Sequence, residues 1–305
     1  MAQPLTQAVV EQFVALMHGR FTNRDIWNEL DIGSVEGRAH LRQIMRRMAA
    51  AGIVRDLPDG GYERVNGQCP EIDWQSADLN NTVDLRFPFE IEKYAKVYPK
   101  SIIVVAGSKN SGKTAFLYNF IVMNFDIHLI DLYNSETGPE QMKERFSAWP
   151  DIPSPAPWGT FERYDHFADV IKPDRISVID YLDLNSEVYL VGTEIDAMFR
   201  KLTTGVVVVA IQKPPPIVTY VKGVKKVIDR DLGYGGGFSA KRSVLYVSLS
   251  DHKAKLVYVK TPKNKKLDPT NKQWTYNLGE SGVIFEDVKP YTEPMTEEEW
   301  QRYGR

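Results

Sequence analysis

Apolar residues along this chain follow two rhythms, and the change between them falls near residue 66. Before it, Val9, Val10, Phe13, Val14 and Met17 recur at the spacing of one helix face. Thr22-Asn23-Arg24-Asp25 offers a cap for a short second helix ending by Leu30. Ser34 caps a third helix that runs to about Ala50, and Gly52 stops it. Gly37 stands where a full capping box wants Glu or Gln, so Glu36 supports that start only through the helix dipole. Residues 53–56 and 62–65 flank Asp59-Gly60-Gly61, which predicts a two-stranded hairpin. Beyond a polar stretch, apolar strand patterns over 102–106, 127–131, 176–180 and 205–212 alternate with helical patterns over 115–121, 138–146 and 187–202. That alternation predicts a largely parallel sheet, with the β-branched run at 205–212 buried on both faces. From Ser243 onward only short strands follow, over 244–247, 254–259, 274–277 and 283–285, which predicts an antiparallel extension. A proline-rich loop over 150–157 interrupts the alternation.

The resulting plan is a small domain over 1–66, a linker over 67–81, an α/β domain over 82–288 and an acidic tail over 289–305. Composition changes this picture little. At 305 residues, 43% apolar and 26% charged, the chain has material for about two ordinary cores. No apolar run approaches the roughly 20 residues of a membrane span. Residues 1–4 carry no secretory pattern, and Cys69 alone makes no internal disulfide, so a reducing, cytoplasmic setting is expected. A net charge of −2 means that any nucleic-acid contact must rest on local patches.

The chemistry concentrates at Gly107-Ser108-Lys109-Asn110-Ser111-Gly112-Lys113-Thr114. The segment follows an apolar strand and opens a helix, the context of a phosphate-binding loop. Its glycines let backbone N–H groups turn toward an anion, and the helix N-terminus adds favourable partial charge. Lys113 is expected on the β- and γ-phosphates of ATP, and the Thr114 hydroxyl on Mg²⁺. Asp180 closes an apolar strand and so belongs at the carboxyl edge of the sheet, as a second ligand to Mg²⁺ through water. An acid directly after Asp180 would supply a base for hydrolysis, but Tyr181 stands there. Glu136, after the second strand, is the candidate general base, and Gln212, ending the next buried strand, the candidate γ-phosphate sensor.

The phosphate loop, Ser135-Glu136, Ile179-Asp180-Tyr181-Leu182 and Ile211-Gln212 fall in the order of RecA-like ATPases. Over about residues 82–286 the chain resembles their DnaB-type and RepA-type replicative helicase branch. Three helices and a hairpin ahead of it resemble a winged helix-turn-helix domain. The resemblance implies a RecA-like, mostly parallel sheet with an antiparallel extension, ATP hydrolysis, and a homo-oligomeric ring or filament. It departs at one element. Where the helicases carry Lys-x-Arg-Asn-Gly, reaching a neighbouring subunit's nucleotide, this chain has Lys260-Thr261-Pro262-Lys263-Asn264. Lys260 and Lys263 are therefore the trans-acting candidates, and a lysine lacks the bidentate fork of arginine.

Single-stranded DNA is the expected partner of the stretch 212–241, where Lys213, Lys222, Lys225, Lys226 and Arg230 are interleaved with Tyr220 and Tyr234. In the N-terminal domain Arg38, Arg42 and Arg46 recur at i, i+4, i+8, a stripe that suits duplex DNA, while docking on protein stays open. Two functions remain: a DNA helicase or remodelling motor of a plasmid, phage or mobile element, and an ATP-switched DNA-binding regulator without strand separation.

Overall fold

Thr22 and Asp25 exchange hydrogen bonds, Asp25 N–H to Thr22 Oγ1 at 3.4 Å and Thr22 N–H to Asp25 Oδ2 at 2.7 Å, so the second helix starts with a full capping box. Ser34 Oγ accepts from Gly37 N–H at 2.9 Å and starts the third. The computed structural model describes residues 5–17, 19–66, 69, 71–182, 190–221 and 224–292, with backbone alone at 221, 224, 226 and 280. The chain divides into two units, 1–77 and 78–305.

In the first unit the order is α1 (Gln7–Leu16), β1 (Arg20–Phe21), α2 (Asn23–Glu29), α3 (Val35–Ala50), β2 (Val54–Asp56) and β3 (Tyr62–Arg64). The strands pair antiparallel in the order β1-β3-β2. Val10, Val14, Phe21, Ile26, Leu41, Ile44, Met45, Met48, Val54 and Tyr62 form its core. The two-residue strand β1 was not foreseen, being too short to show a period of two.

The second unit holds β4 (Ser101–Gly107), α4 (Lys113–Asn124), β5 (Ile130–Asn134), α5 (Pro139–Phe146), β6 (Gly159–Glu162), β7 (Ile176–Leu182), α6 (Leu190–Lys201) and β8 (Val206–Gln212). It continues with β9 (Ile217–Val221), β10 (Val224–Ile228), α7 (Gly237–Ala240), β11 (Ser243–Ser250), β12 (Lys253–Val259), β13 (Gln273–Leu278) and β14 (Phe285–Tyr291). Nine strands form one sheet in the order β14-β13-β12-β11-β4-β8-β7-β5-β6. From β11 to β6 the neighbours are parallel, and β12 to β14 add on antiparallel. This is the RecA-like, mostly parallel sheet with an antiparallel extension. Alternate residues of β4 supply opposite faces, as the pleat requires. Ile103 and Val105 pack with Phe116, Leu117 and Phe120 of α4, while Ile102, Val104 and Ala106 pack with Ile195 and Met198 of α6.

Several expectations shift. The strand expected over 127–131 is β5, three residues later; Ile127 and Leu129 are exposed, and Leu132 and Tyr133 are buried instead. The edge strand β6 and the hairpin β9–β10 were read as loop. The last strand runs to Tyr291, into the stretch read as tail, and residues 293–305 lie outside the described ones. Helix α6 starts at Leu190 and not at 187, with 183–189 outside the described residues.

Candidate active site

At the end of β4 the chain turns through residues 108–112 and enters α4 at Lys113. Gly112 holds φ 84°, in the left-handed region that favours glycine, and caps that helix. At Gly107 a Cβ would collide with Ser111 Oγ and lie 2.6 Å from Lys113 Cγ, so the close turn requires glycine there. Lys113 Nζ donates to Ser108 O at 3.0 Å, and Ser111 Oγ donates to the same carbonyl at 2.8 Å. Burial pulls the Lys113 ammonium below its ordinary pKa, opposed by the charges of Glu136 and Asp180. A cleft of about 260 Å³ opens here, lined by residues 110–115 together with Glu136, Arg145, Leu278, Ser281, Gly282 and Val283.

Asp180, on β7, is fully buried. Its Oδ1 accepts from Thr114 Oγ1 at 3.2 Å, and its Oδ2 is buried without a partner. Burial first, and the charge of Glu136 second, push its pKa up to about 7, against the Thr114 hydrogen bond and the charges of Arg145 and Lys113. An orphaned carboxylate oxygen beside a hydroxyl at a helix N-terminus is an all-oxygen donor pair that fits Mg²⁺. Among the described residues no cluster of three or more His, Cys, Asp or Glu could hold a metal on its own. That matches a cation carried largely by phosphate and water.

Glu136 is exposed and follows the tip of β5. Ser135 fastens that tip to β7: its N–H donates to Asp180 O at 2.8 Å, and its Oγ to Tyr181 O at 2.8 Å. Gln212 pairs with Gly107 in the β8–β4 register, beside the loop and outside the cleft lining. The residue after it corrects the sequence reading. Lys213 is 2% exposed, and its ammonium binds Asp229 Oδ2 and Ser250 Oγ, each at 2.8 Å, and Ser248 Oγ at 3.1 Å. It is a buried strut and not a strand contact.

Lys225 stands exposed on β10, directly across from exposed Tyr220 on β9. Arg230 follows β10 and is exposed; Lys222, and the side chain of Lys226, lie outside the described residues. Lys260 and Lys263 follow β12 at the edge of the sheet opposite the phosphate loop, since β12 runs antiparallel to β11 and β11 parallel to β4. One length of β4 is about 20 Å, so neither lysine reaches its own chain's loop. In the first unit Arg38 lies over the Trp27 ring at 5.0 Å and donates to Ile32 O at 3.2 Å, which leaves Arg42 and Arg46 exposed on α3.

Two contributors escaped the sequence reading. Arg145 of α5 lines the cleft with a buried, unpartnered Nη1 and holds down the Asp180 pKa. In sequence it reads as a basic residue complementing a helix C-terminus. Tyr276 of β13 donates its hydroxyl to Ser111 O at 2.6 Å, from 165 residues away, with no local signal.

No family model and no curated protein matches this chain. Three solved structures share its sheet at low identity. A RadB recombinase is 14% identical with a TM-score of 0.42, covering 63% of this chain and 92% of that one. An ATPase domain solved on its own is 15% identical at 0.47, covering 70% and 94%. The KaiC-like protein PH0186 from Pyrococcus horikoshii is 13% identical at 0.44, covering 69% and 99%.

Proposed function

We propose that this chain is an ATP-hydrolysing, DNA-binding ATPase that holds ATP and Mg²⁺ in the cleft between its phosphate loop and the tips of β5 and β7. One observation carries the reading: a buried carboxylate, Asp180, with a free oxygen, stands beside Thr114 and an ammonium at a glycine-built helix N-terminus. The amides from Ser108 to Thr114 bind the phosphate tail, and Lys113 leaves Ser108 O to neutralise the β- and γ-oxygens. Thr114 and Asp180 hold Mg²⁺, whose charge stabilises the departing diphosphate. Glu136 orients water and takes its proton as the water oxygen bonds to the γ-phosphorus, while the bond to the bridging oxygen breaks and ADP leaves. Arg145 spreads positive charge over the γ-oxygens. Gln212, one register position from the loop, reports loss of the γ-phosphate to the segment beyond it.

That segment is the proposed site for single-stranded DNA. The cross-strand pair of Tyr220 and Lys225 offers a ring for a base and a charge for its phosphate, with Lys222, Lys226 and Arg230 adding to the field. A homo-oligomeric ring or filament would bring Lys260 and Lys263 to a neighbour's nucleotide. The winged-helix-like unit, with Arg42 and Arg46 exposed and Arg38 engaged at Trp27, adds duplex DNA or a protein. The finer reading is a DnaB/RepA-like helicase of a plasmid, phage or mobile element. The alternative, an ATP-switched assembly factor, is favoured by lysine where an arginine finger is expected.

The test is Lys113→Ala. Hydrolysis should fall to background in the presence of DNA, and wild-type turnover in this variant would overturn the proposal. Displacement of a labelled strand from a duplex marks the motor; ATP-dependent assembly without displacement marks the switch.

A further inference from the structure

We infer that the lysine-rich loop between β12 and β13, with the aromatic groove beside it, is a second surface for single-stranded nucleic acid. Residues 260–272 contain Lys260, Lys263, Lys265, Lys266 and Lys272 against one acid, Asp268. All five lysines are exposed. The lysine ion pairs among the described residues are Lys93–Glu90, Lys172–Asp131, Lys213–Asp229 and Lys255–Asp231, so none of the five is neutralised by a carboxylate there. Asp268 is turned inward on its own loop, its Oδ1 accepting from Thr270 N–H at 2.9 Å.

The loop is held in place. Lys96 N–H donates to Thr261 O at 2.9 Å, Lys263 N–H to Tyr94 O at 2.8 Å and Asn271 N–H to Leu256 O at 2.7 Å. Charges fixed on an ordered backbone bind a polyanion with little ordering cost. Adjoining them is a groove of about 410 Å³ whose walls include Tyr94, Lys272, Trp274 and Tyr291. Lys272 Nζ lies 4.8 Å from the Tyr94 ring centroid, and Lys253 Nζ lies 4.2 Å from that of Tyr291. A groove of that size takes a planar ligand between rings and ammoniums. An unstacked base offers such a ligand and a duplex does not, so the partner is a single strand, bound without sequence preference.

The edge lies a strand's length from the hairpin β9–β10, so this inference shares its ligand class with the proposed function but not its residues. The test uses the full chain and a labelled 30-nucleotide oligonucleotide, with anisotropy followed across a KCl titration. Lys265→Gln, Lys266→Gln and Lys272→Gln are combined in one variant. Each lost phosphate contact removes about 0.7 from the slope of log affinity against log salt, so the triple variant should lose about 2. Its ATP hydrolysis without nucleic acid should stay at the wild-type rate. An unchanged slope, in a protein whose Lys225→Ala variant does weaken binding, overturns this surface alone. Absence of oligonucleotide binding by the wild type overturns both it and the proposed strand path. Equal competition by a duplex overturns the role of the groove, and equal competition by polyglutamate of matched charge assigns the face to an acidic protein instead.

Discussion

Tyr276→Phe removes one oxygen and keeps the ring, and the geometry says what that oxygen does. Tyr276 is 3% exposed, and its hydroxyl donates to Ser111 O at 2.6 Å, with Ser250 O at 3.2 Å. Burial raises its pKa well above the ordinary tyrosine range, so it remains a neutral donor at any working pH. The Ser111 carbonyl and the Gly112 N–H belong to one planar peptide and point in opposite directions. Anchoring the carbonyl on Tyr276 therefore aims the Gly112 N–H to the other side, into the phosphate cradle. Phenylalanine would leave that carbonyl buried without a donor, a cost of about 1–3 kcal/mol. The peptide escapes the cost by rotating, which turns the N–H away from the phosphate. If half the cost appears in binding, ADP and ATP affinities fall about 3- to 13-fold, since 1.4 kcal/mol is tenfold. Titration of a fluorescent ADP, alongside the thermal midpoint, reads both parts. A lowered midpoint with wild-type ADP affinity would refute the positioning argument and reduce Tyr276 to a core residue.

Asp180 predicts a pH dependence. Its folded pKa of about 7 exceeds the unfolded 3.8, so the nucleotide-free protein loses stability as pH rises through that window. Asp180→Asn should therefore melt higher than wild type at pH 8, with the gap closing toward pH 4; a pH-independent gap contradicts the assignment. Arg145→Gln should lower kcat by about 10²–10³ while leaving ADP affinity near wild type, as expected of a charge that acts on the γ-phosphate. An equal loss in ADP affinity would count against that role. Asp229→Asn should strip the charged partner from the Lys213 ammonium and expose the hairpin to trypsin at Lys225, and an unchanged digestion pattern would sink that strut.

Legibility in the sequence followed the range of the physics. The phosphate loop is readable because its constraint is local: Gly107 and Gly112 are dictated by neighbours within six residues. The buried strand β8 is readable because a β-branched run fits only a site covered on both faces. The register of β5 is less so, since Asp131 sits inside it, buried and paired with Lys172 at 3.2 Å and Arg175 at 3.5 Å. A charged residue within a strand looks like its end. The short edge strand β6 buries too little to imprint a period, its residues being half-buried or exposed. Pro214, Pro215 and Pro216 break the pattern ahead of β9, so the hairpin reads as loop. Arg145 and Tyr276 have no local signature, because their importance arises from packing against the loop.

The sheet extension and the hairpin answer why so much chain follows β8. Lys213 N–H donates to Gly107 O at 2.9 Å, fastening the first residue after β8 to the first glycine of the phosphate loop. The ammonium of the same residue uses its three protons on Asp229, Ser250 and Ser248. Asp229 directly follows β10, and Ser250 ends β11 and donates back to Asp229. Ser250 O in turn faces Tyr276, whose hydroxyl holds Ser111. The phosphate loop is thus gripped at both ends by groups that also fix the base of the hairpin. A shift of Gly107 or Ser111 toward a bound phosphate must be taken up at Asp229, because the buried ammonium cannot give up a partner without a cost of several kcal/mol. This contiguous set of bonds is the physical route by which occupancy of the cleft would reach Tyr220 and Lys225, and it makes the hairpin the element on which ATP acts.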